Sequence, residues 1–277
     1  MSLAEARTLA PPERRTAQVV GCEDVGAYRL LSAEDLTGPT DPRPGQFYML
    51  AAAERWGGGA SERPYLPRAF SFARAEPLRQ GTRLAFLLEE VGPGTGRLAE
   101  LRPGDGLSLV GPLGLGFRPA REGRRPLLAG GGIGTAPLVC LCDELDDATV
   151  LLGFRSAAHV GVAALFDTQP GLATDDGSIG RNDLVTELLA EELQRDRHAE
   201  VFACGPPPML EAVRALCAER EVPAQLAMES GMACGFGACF GCVVPTRAGF
   251  VRLCLDGPVL DAATLDTALA PGGGHQG

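Results

Sequence analysis

Four of the nine cysteines lie within a stretch of 21 residues and follow the spacing C-x4-C-x2-C-x11-C: Cys234, Cys239, Cys242 and Cys254. The x4/x2 spacing on one loop is typical of plant-type [2Fe–2S] clusters, which are held by four cysteine thiolates. Small residues such as Gly235 and Gly237 let a loop wrap closely around a cluster and direct backbone N–H groups at sulfur. We therefore predict an iron–sulfur cluster. A structural zinc site and four unligated cysteines are the alternatives.

The other five cysteines are scattered in apolar surroundings: Cys22, Cys140, Cys142, Cys204 and Cys217. A small buried thiol is the ordinary role of such residues. Because the total number is odd and residues 1–15 lack the apolar core of a signal peptide, a disulfide framework is not expected. These observations predict a soluble cytoplasmic protein.

A glycine-rich segment, Gly130–Thr135, joins the apolar run Leu127–Ala129 to a helical pattern with Pro137 in its first turn. Glycines allow a tight turn there and a close approach of a dinucleotide's pyrophosphate to the helix N-terminus. Proline in the first turn costs no hydrogen bond. The segment is not the standard G-x-G-x-x-G, so a tight strand-to-helix turn without a ligand is the alternative.

A second segment of this kind ends the apolar run Val201–Cys204. Gly205 follows it, and a helix then begins in prolines shortly before Met209. By itself this turn also does not distinguish a nucleotide-binding site from an ordinary strand-to-helix turn. Two such turns at the carboxyl ends of parallel strands, however, favour a nucleotide-binding crevice.

Two further motifs lie nearer the N-terminus. Arg68-Ala69-Phe70-Ser71 opens a β-like run, and Gly92-Pro93-Gly94-Thr95-Gly96 follows another. An arginine can pair with a phosphate, an aromatic ring can pack on a flat ring, and glycine amides can surround a pyrophosphate. Without other context, a surface arginine and a Gly-Pro turn explain these residues equally well.

The elements that must position these motifs change character along the chain. Residues 16–118 contain short β-like runs broken by Gly and Pro, which indicate a small antiparallel barrel or sandwich. Residues 123–222 alternate apolar strands with helical patterns, as in a parallel doubly wound sheet. We therefore predict a multidomain chain: disordered residues 1–15, a β-barrel at 16–120, a nucleotide-binding α/β domain at 121–223, a cysteine-cluster domain at 224–265 and a flexible tail at 266–277.

The composition argues against several classes of function. With 277 residues, 45% of them hydrophobic, the chain can bury a sizeable core. Its net charge of −10 argues against nucleic acid as a partner, because phosphate binding needs a basic face. No stretch approaches the roughly 20 apolar residues of a membrane span. The motifs of serine hydrolases, zincins and P-loop NTPases are absent.

Taken in this order, the motifs resemble the ferredoxin–NADP reductase superfamily. Its members hold FAD on an arginine-aromatic-serine strand of a barrel, and the nicotinamide nucleotide on a glycine-rich turn and a C-G-x-x-x-M segment. The cysteine loop and the tail Asp256-Gly257-Pro258-Val259 resemble, more narrowly, the electron-transfer subunits of dihydroorotate dehydrogenase B. That family usually has proline in the place of Ala69 and a longer gap before the fourth cysteine. The resemblance runs from about residue 16 to 262.

The resemblance implies a role for each matching residue. FAD would be contacted by Arg68, Ala69, Phe70, Ser71, Leu87, Leu88, Glu89, Gly94 and Thr95. The nicotinamide nucleotide would be contacted by Gly130, Gly131, Gly132, Ile133, Gly134, Thr135, Cys204, Gly205 and Met209. The cluster ligands would be Cys234, Cys239, Cys242 and Cys254.

The implied function is that of an NAD-linked oxidoreductase subunit in pyrimidine biosynthesis. Electrons would pass from an FMN-containing dihydroorotate dehydrogenase catalytic subunit through the [2Fe–2S] cluster and FAD to NAD+, in a complex with two copies of each subunit. This chain would then need no catalytic residue for dihydroorotate itself. A subunit of a sulfhydrogenase or of a ferredoxin:NADP transhydrogenase would use the same scaffold. Arg155 leaves open whether the nucleotide is NAD or NADP, since an arginine can bind a 2′-phosphate.

Overall fold

Six antiparallel strands close into a barrel in the first part of the chain. The structure is a computed structural model that describes residues 13–54, 56 and 66–269. Around the barrel the strands follow the order β1-β2-β5-β4-β3-β6. A short helix, α1 (Pro93–Ala99), connects β5 to β6. The strands are β1 (Arg14–Val25), β2 (Tyr28–Asp35), β3 (Phe47–Ala52), β4 (Arg68–Pro77), β5 (Thr82–Leu88) and β6 (Gly106–Leu113).

The barrel is filled because side chains alternate between the two faces of each strand. On β3, Tyr48 points inward, and its ring meets those of Phe72 and Phe86 edge-on, with centroid distances of 6.1 and 5.7 Å. Phe47 and Met49 of the same strand point outward and join a second core, shared with the rest of the molecule. The outer wall of β3 is therefore a packing surface.

Strand β1 begins two residues before the predicted start of the barrel at residue 16. Arg15 lies in the segment predicted to be disordered, but it is only 8% exposed. Its Nη2 atom lies 2.7 Å from the Asp35 carboxylate and 2.6 Å from the carbonyl oxygen of Gly111. A buried guanidinium held by two strands orders the start of β1. Residues 1–12 of the predicted disordered segment lie outside the described residues.

A seven-stranded sheet follows the barrel, in the order β10-β9-β8-β7-β11-β12-β15. All neighbouring strands in it are parallel except β12 and β15, which confirms the predicted doubly wound architecture. The longest helix of the described residues has 14 residues, and none of them is both long and apolar enough to cross a membrane. The elements are β7 (Arg125–Gly131), α2 (Ala136–Cys142), β8 (Thr149–Phe154), β9 (Gly171–Thr174), β10 (Arg181–Asn182), α3 (Val185–Arg195), β11 (Ala199–Cys204), α4 (Pro207–Arg220), β12 (Ala224–Ala227) and β15 (Val259–Asp261).

The segment predicted as a separate cysteine-cluster domain, residues 224–265, is built into this sheet at both ends. Strand β12 pairs with β11, and β15 returns to pair with β12. The segment between them carries the cysteines and three short elements: β13 (Val243–Thr246), β14 (Gly249–Arg252) and α5 (Leu253–Asp256). With only four and three residues, β12 and β15 are too short to reveal their sheet from the sequence pattern.

The chain stays packed beyond the predicted start of a flexible tail at residue 266. Leu265 is fully buried, and Ala268 is 1% exposed. The N–H of Ala268 donates to the carboxylate of Glu211 on α4. This contact holds the segment against α4 as far as Ala268, and residues 270–277 lie outside the described residues.

Candidate cofactor sites and cysteine cluster

The two glycine turns predicted to bind a nucleotide lie side by side at one edge of the seven-stranded sheet. They follow β7 and β11, which are paired in parallel so that their carboxyl ends meet. A Cβ atom on Gly134 would lie 2.6 Å from the backbone N and Cα of Gly205, so the turns touch through glycine backbone. The Met209 side chain covers the same place, because a Cβ on Gly205 would lie 2.6 Å from its Sδ. The structure thus brings the two predicted segments together.

Local geometry explains the residue types in the first turn. Gly132 has a φ of +55°, a conformation that favours glycine. It begins a 3-10 turn, Gly132–Thr135, in which the buried Thr135 hydroxyl donates to the Gly132 carbonyl at 2.9 Å. Helix α2 starts at the next residue, with Pro137 near its beginning. The turn is therefore rigid and narrow at the point where a pyrophosphate would approach.

The second turn places a neutral thiol at the crevice. Cys204 is 5% exposed, and burial, reinforced by the nearby Glu229, raises the pKa of its thiol well above the ordinary value. Glu229 follows β12 and is exposed to solvent on one side. The protein packed around the rest of the residue removes part of the water from its carboxyl and so raises the pKa of that group. Sequence reasoning missed Glu229 because a lone acid after a short strand resembles a surface residue.

The segment predicted to bind FAD forms the start of β4, beside β3. Ala69 is exposed, and it stands opposite Met49 of β3 in the strand register. The Arg68 side chain lies against the start of α1, since a Cβ on Gly94 would come within 2.6 Å of the Arg68 Nε. The Arg68–Ser71 segment and the Gly92–Gly96 segment therefore meet here. Because Gly94 has no side chain, it leaves the space that the Arg68 guanidinium occupies. A phosphate-binding role fits this arrangement, because the guanidinium and a helix start share one place.

The remaining residues of the Arg68–Ser71 segment face different surroundings. Phe70 is half-buried and packs partly against the core inside the barrel. Ser71 is half-buried and stands opposite Phe47 of β3.

The segment predicted as a Gly-Pro turn, residues 92–96, is the beginning of helix α1. The Thr95 hydroxyl accepts hydrogen bonds from the N–H groups of Val91 and Gly92, at 3.0 and 3.1 Å, and donates to the Gly92 carbonyl at 3.0 Å. A hydroxyl has one donor and two acceptor positions, so these bonds use all of them. Thr95 therefore shapes the turn through its side chain, and a pyrophosphate would meet its backbone.

The predicted flavin contacts on β5 divide into two kinds. Leu87 and Leu88 are 1% and 0% exposed and pack into two different cores, so their side chains present no surface to a ligand. Glu89 is half-buried and forms an ion pair with Arg155, the arginine that follows β8. This pair joins the barrel to the nucleotide-binding sheet.

The barrel also meets the sheet through Tyr28, which sequence reasoning missed. Its ring is 2% exposed and lies edge-on to His159, at a centroid distance of 5.6 Å. A Cβ on Gly132 would lie 3.7 Å from the Tyr28 hydroxyl, so this tyrosine reaches the first glycine turn. A single tyrosine within a strand carries no sequence signal for such a role.

The four clustered cysteines lie as two pairs. Cys242 and Cys254 are buried, with their Sγ atoms 3.2 Å apart. The hairpin of β13 and β14 fills most of the eleven-residue gap between them, with Val243 opposite Arg252. Because a hairpin returns the chain to its starting point, the short gap brings the two thiols together.

The second pair lies on the loop itself. The Cys239 side chain is one of the groups that lower the pKa of the Cys234 thiol. Burial raises the pKa of Cys234, but backbone N–H groups of the loop, including those of Cys239 and Phe236, outweigh it and bring the pKa to about 7. Cys239 is exposed, and its Sγ accepts the Gly241 N–H at 3.4 Å. The loop thus directs amides at sulfur, as an iron–sulfur loop does.

This arrangement suits a centre with two metal ions. Within the described part of the chain, no three or more His, Cys, Asp or Glu side chains are placed to share one metal ion. One close thiol pair, a second pair on the adjoining loop and amides aimed at the sulfur of Cys239 and Cys242 match the donor set of a [2Fe–2S] cluster, in which four cysteines serve two irons.

Comparisons with known proteins agree with this geometry. Residues 229–266 match the family model of the iron–sulfur cluster binding domain of dihydroorotate dehydrogenase B. The electron transfer subunit of dihydroorotate dehydrogenase B (NAD(+)) from Clostridium acetobutylicum is 35% identical over 237 residues, which are 84% of this chain and 89% of that protein. The chain belongs to the family of dihydroorotate dehydrogenase B electron transfer subunits. A relative of the same name from Bacillus caldolyticus is 39% identical over 79% of this chain and 85% of its own length.

Solved structures confirm the fold of this family member. The NADH-dependent reduced ferredoxin-NADP oxidoreductase, studied for flavin-based electron bifurcation, superposes with a TM-score of 0.73 over 91% of this chain and 90% of that one, at 24% identity. The ferredoxin reductase of carbazole 1,9a-dioxygenase gives a TM-score of 0.64 over 78% of this chain and 68% of that one, at 22% identity. The fold that the resemblance implied, a barrel followed by a nucleotide-binding sheet, is therefore confirmed.

Proposed function

We propose that this protein is the electron transfer subunit of an NAD-dependent dihydroorotate dehydrogenase. It carries electrons from a catalytic dihydroorotate dehydrogenase subunit through a [2Fe–2S] cluster and FAD to NAD+, in the synthesis of pyrimidines. The observation that carries the proposal is the family membership, shared by relatives with the same name over most of the chain. The two glycine turns, the Arg68–Gly94 contact and the paired cysteines supply a place for each cofactor.

The FAD pyrophosphate is assigned to the place where Arg68 meets the start of α1. The guanidinium provides a charge-assisted donor, and the backbone at Gly94 and Thr95 provides close approach. The exposed Ala69 and its neighbours Phe70 and Ser71 then border the flavin ring. Leu87 and Leu88 point to opposite faces of β5 and into two different cores, so only their backbone can border this wall. Glu89 closes its end through the pair with Arg155.

The nicotinamide nucleotide is assigned to the crevice between the two glycine turns. Gly130–Thr135 would hold the pyrophosphate, and Cys204, Gly205 and Met209 would border the nicotinamide. NAD is the nucleotide named for the relatives. In this chain the guanidinium of Arg155, which could otherwise meet a 2′-phosphate, is paired with Glu89.

The chain's own contribution to the reaction is orientation and tuning. When bound, FAD exchanges two electrons at once with the nicotinamide as a hydride and single electrons with the cluster. Cys204 holds its proton at the crevice, because burial raises its pKa, and so adds no charge there. Loop N–H groups directed at Cys234 stabilise negative charge on its sulfur. In this scheme no residue of this chain performs acid–base chemistry on dihydroorotate.

The catalytic partner is assigned to the face that carries the cysteine loop. Phe236, Phe240 and Phe250 are 47%, 63% and 78% exposed there, and exposed aromatic residues are typical of protein interfaces. The Arg252 guanidinium lies over the Phe240 ring at 4.9 Å. An FMN-containing catalytic subunit, in a complex with two copies of each chain, would bring its flavin close to the cluster at this face. Neither nucleic acid nor membrane takes part.

We assign the complex to the cytoplasm. None of the nine cysteines forms a disulfide, which suits a reducing compartment.

Anaerobic affinity purification of this chain from its native cells tests the function. We expect an FMN-containing dihydroorotate dehydrogenase subunit to co-purify in equal amounts, and the complex to reduce NAD+ with dihydroorotate. Recovery of hydrogenase or transhydrogenase subunits instead would keep the cofactors and refute the pathway. A colourless chain that contains zinc would refute the cofactors as well.

A further inference from the structure

Met49 lies between the strand assigned to FAD and the loop assigned to the cluster. It stands opposite Ala69 of β4 in the strand register, on the outer face of the barrel. On its other side it stands opposite Val110 of β6. Although its strand face points away from the barrel core, Met49 is only 2% exposed. Another part of the molecule therefore covers it.

The covering part includes the cysteine loop. A Cβ atom on Gly235 would lie 2.5 Å from Cγ and 2.9 Å from Sδ of Met49, and 3.0 Å from Cδ1 of Leu113. Gly235 directly follows Cys234, and its φ of +79° also favours glycine. The backbone beside the first cluster ligand thus rests directly on the Met49 side chain, without a side chain of its own in between.

We propose that Met49 is a positioning residue for electron transfer, which fixes the separation between the flavin wall and the cluster loop. The inference rests on the proposed function. In that reaction the reduced cluster would pass single electrons to FAD and be oxidised as FAD is reduced, and NADH drives the same transfer in reverse, so in both directions the rate depends on the distance between the two groups. Protein interiors are close-packed, and loss of the Met49 side chain removes the contact that holds the loop.

Because successive side chains of a strand point to opposite faces, the residue next to Met49 serves as a matched control. Leu50, the next residue, is 0% exposed and points into the barrel core, away from the cysteine loop. Met49→Ala and Leu50→Ala remove similar buried volumes, and both destabilise the barrel. Only Met49→Ala changes the support of the loop. Met49→Leu nearly conserves volume and serves as the rescue variant.

The experiment uses the full chain carrying FAD and the cluster, mixed with NADH under anaerobic stopped-flow conditions. Flavin reduction and cluster reduction are followed separately by their absorbance, and loss of iron to a chelator is timed in parallel. We expect Met49→Ala to reduce the flavin at the normal rate, to slow cluster reduction several-fold and to speed iron loss. Met49→Leu and Leu50→Ala should keep both cluster properties. If Met49→Ala purifies without the cluster, Met49→Val replaces it with the same expectation.

Two results would overturn the inference. One is that Met49→Ala, or Met49→Val in its place, reduces its cluster and loses iron at the same rates as the unmodified chain. The other is an equal slowing in Leu50→Ala, which would assign the effect to general loosening of the barrel. A failure of the proposed function looks different, since NADH would then leave the cluster of the unmodified chain oxidised.

Discussion

Gly134 and Gly205 lie in backbone contact where two strand-to-helix turns meet, and neither has room for a side chain. A Cβ on Gly134 would come within 2.6 Å of Gly205, and one on Gly205 within 3.1 Å of the backbone of Gly131. The width of the crevice therefore depends on glycine in both turns.

Replacement of Gly205 by alanine should weaken NADH binding. The added methyl group would have to displace the Met209 sulfur or the first turn, and both border the proposed nucleotide site. We expect the Kd for NADH, measured by calorimetric titration, to rise about tenfold, which is roughly 1.4 kcal/mol. Gly21→Ala is the control, because its Cβ would meet only Ser32, at 3.9 Å. Equal NADH affinity in the two variants would contradict the assignment.

Arg68→Ala should release FAD. Loss of a charged donor to the pyrophosphate costs about 1.5–3 kcal/mol, or roughly ten- to a hundredfold in affinity. The fraction of FAD retained through gel filtration at low protein concentration measures this loss. Arg83→Ala serves as the comparison, since Arg83 lies on β5 of the same barrel and pairs with Glu34 on its surface. The assignment fails if both variants keep their FAD.

Cys239→Ser should remove the cluster and spare the flavin. We expect the iron and sulfide content and electron transfer to the catalytic partner to fall to background, while NADH still reduces an artificial dye through FAD. Cys142→Ser changes a half-buried thiol outside the loop and should alter neither property. Normal reduction of the partner by Cys239→Ser would refute the proposed electron path.

Glu211 should make the stability of the chain depend on pH in the acid range. The Arg214 side chain, together with the Ala268 N–H and the Thr267 hydroxyl, lowers the pKa of the Glu211 carboxyl from 4.5 to about 2, against the opposing effect of burial. A lowered pKa in the folded state stabilises the protein above pH 4.5, and this contribution disappears as the pH falls from 4.5 to 2.

Glu211→Gln tests this dependence. We expect the free energy of unfolding to fall by about 2 kcal/mol at pH 7, and the difference from the unmodified chain to vanish towards pH 2. Urea unfolding at a series of pH values measures it. Glu219→Gln, on the exposed face of the same helix, should have little effect. A constant difference across the whole pH range would show that the charge of Glu211 is not responsible.

The sequence predicted the cofactor motifs of this protein better than the contacts between its separate elements. The C-x4-C-x2-C spacing and the glycine turns have strict local requirements, so they can be recognised without the fold. The runs Leu127–Ala129 and Val201–Cys204 were recognised because they are apolar throughout, and both lie inside observed strands. By contrast, β2 carries polar side chains at half-buried and buried positions, and the sequence analysis did not find it.

Long-range contacts account for what the sequence could not predict. No local pattern pairs Arg15 with Asp35, places Gly235 on Met49 or joins Glu89 to Arg155, because each contact links separate elements. The gap between Cys242 and Cys254 is shorter than the resemblance led us to expect, and the hairpin of β13 and β14 closes it. Tertiary packing decides such relationships.

The return of β15 to the nucleotide-binding sheet makes the cysteine segment an insertion between two strands of that sheet. Strand β12 is covered by β15 along its outer side, with Leu226 opposite Leu260. A chain cut before the cysteines would leave β12 as a bare edge, and an uncovered edge invites association with other chains. A cluster of this type could thus be grafted onto another reductase only by joining it at two points, with the covering strand included.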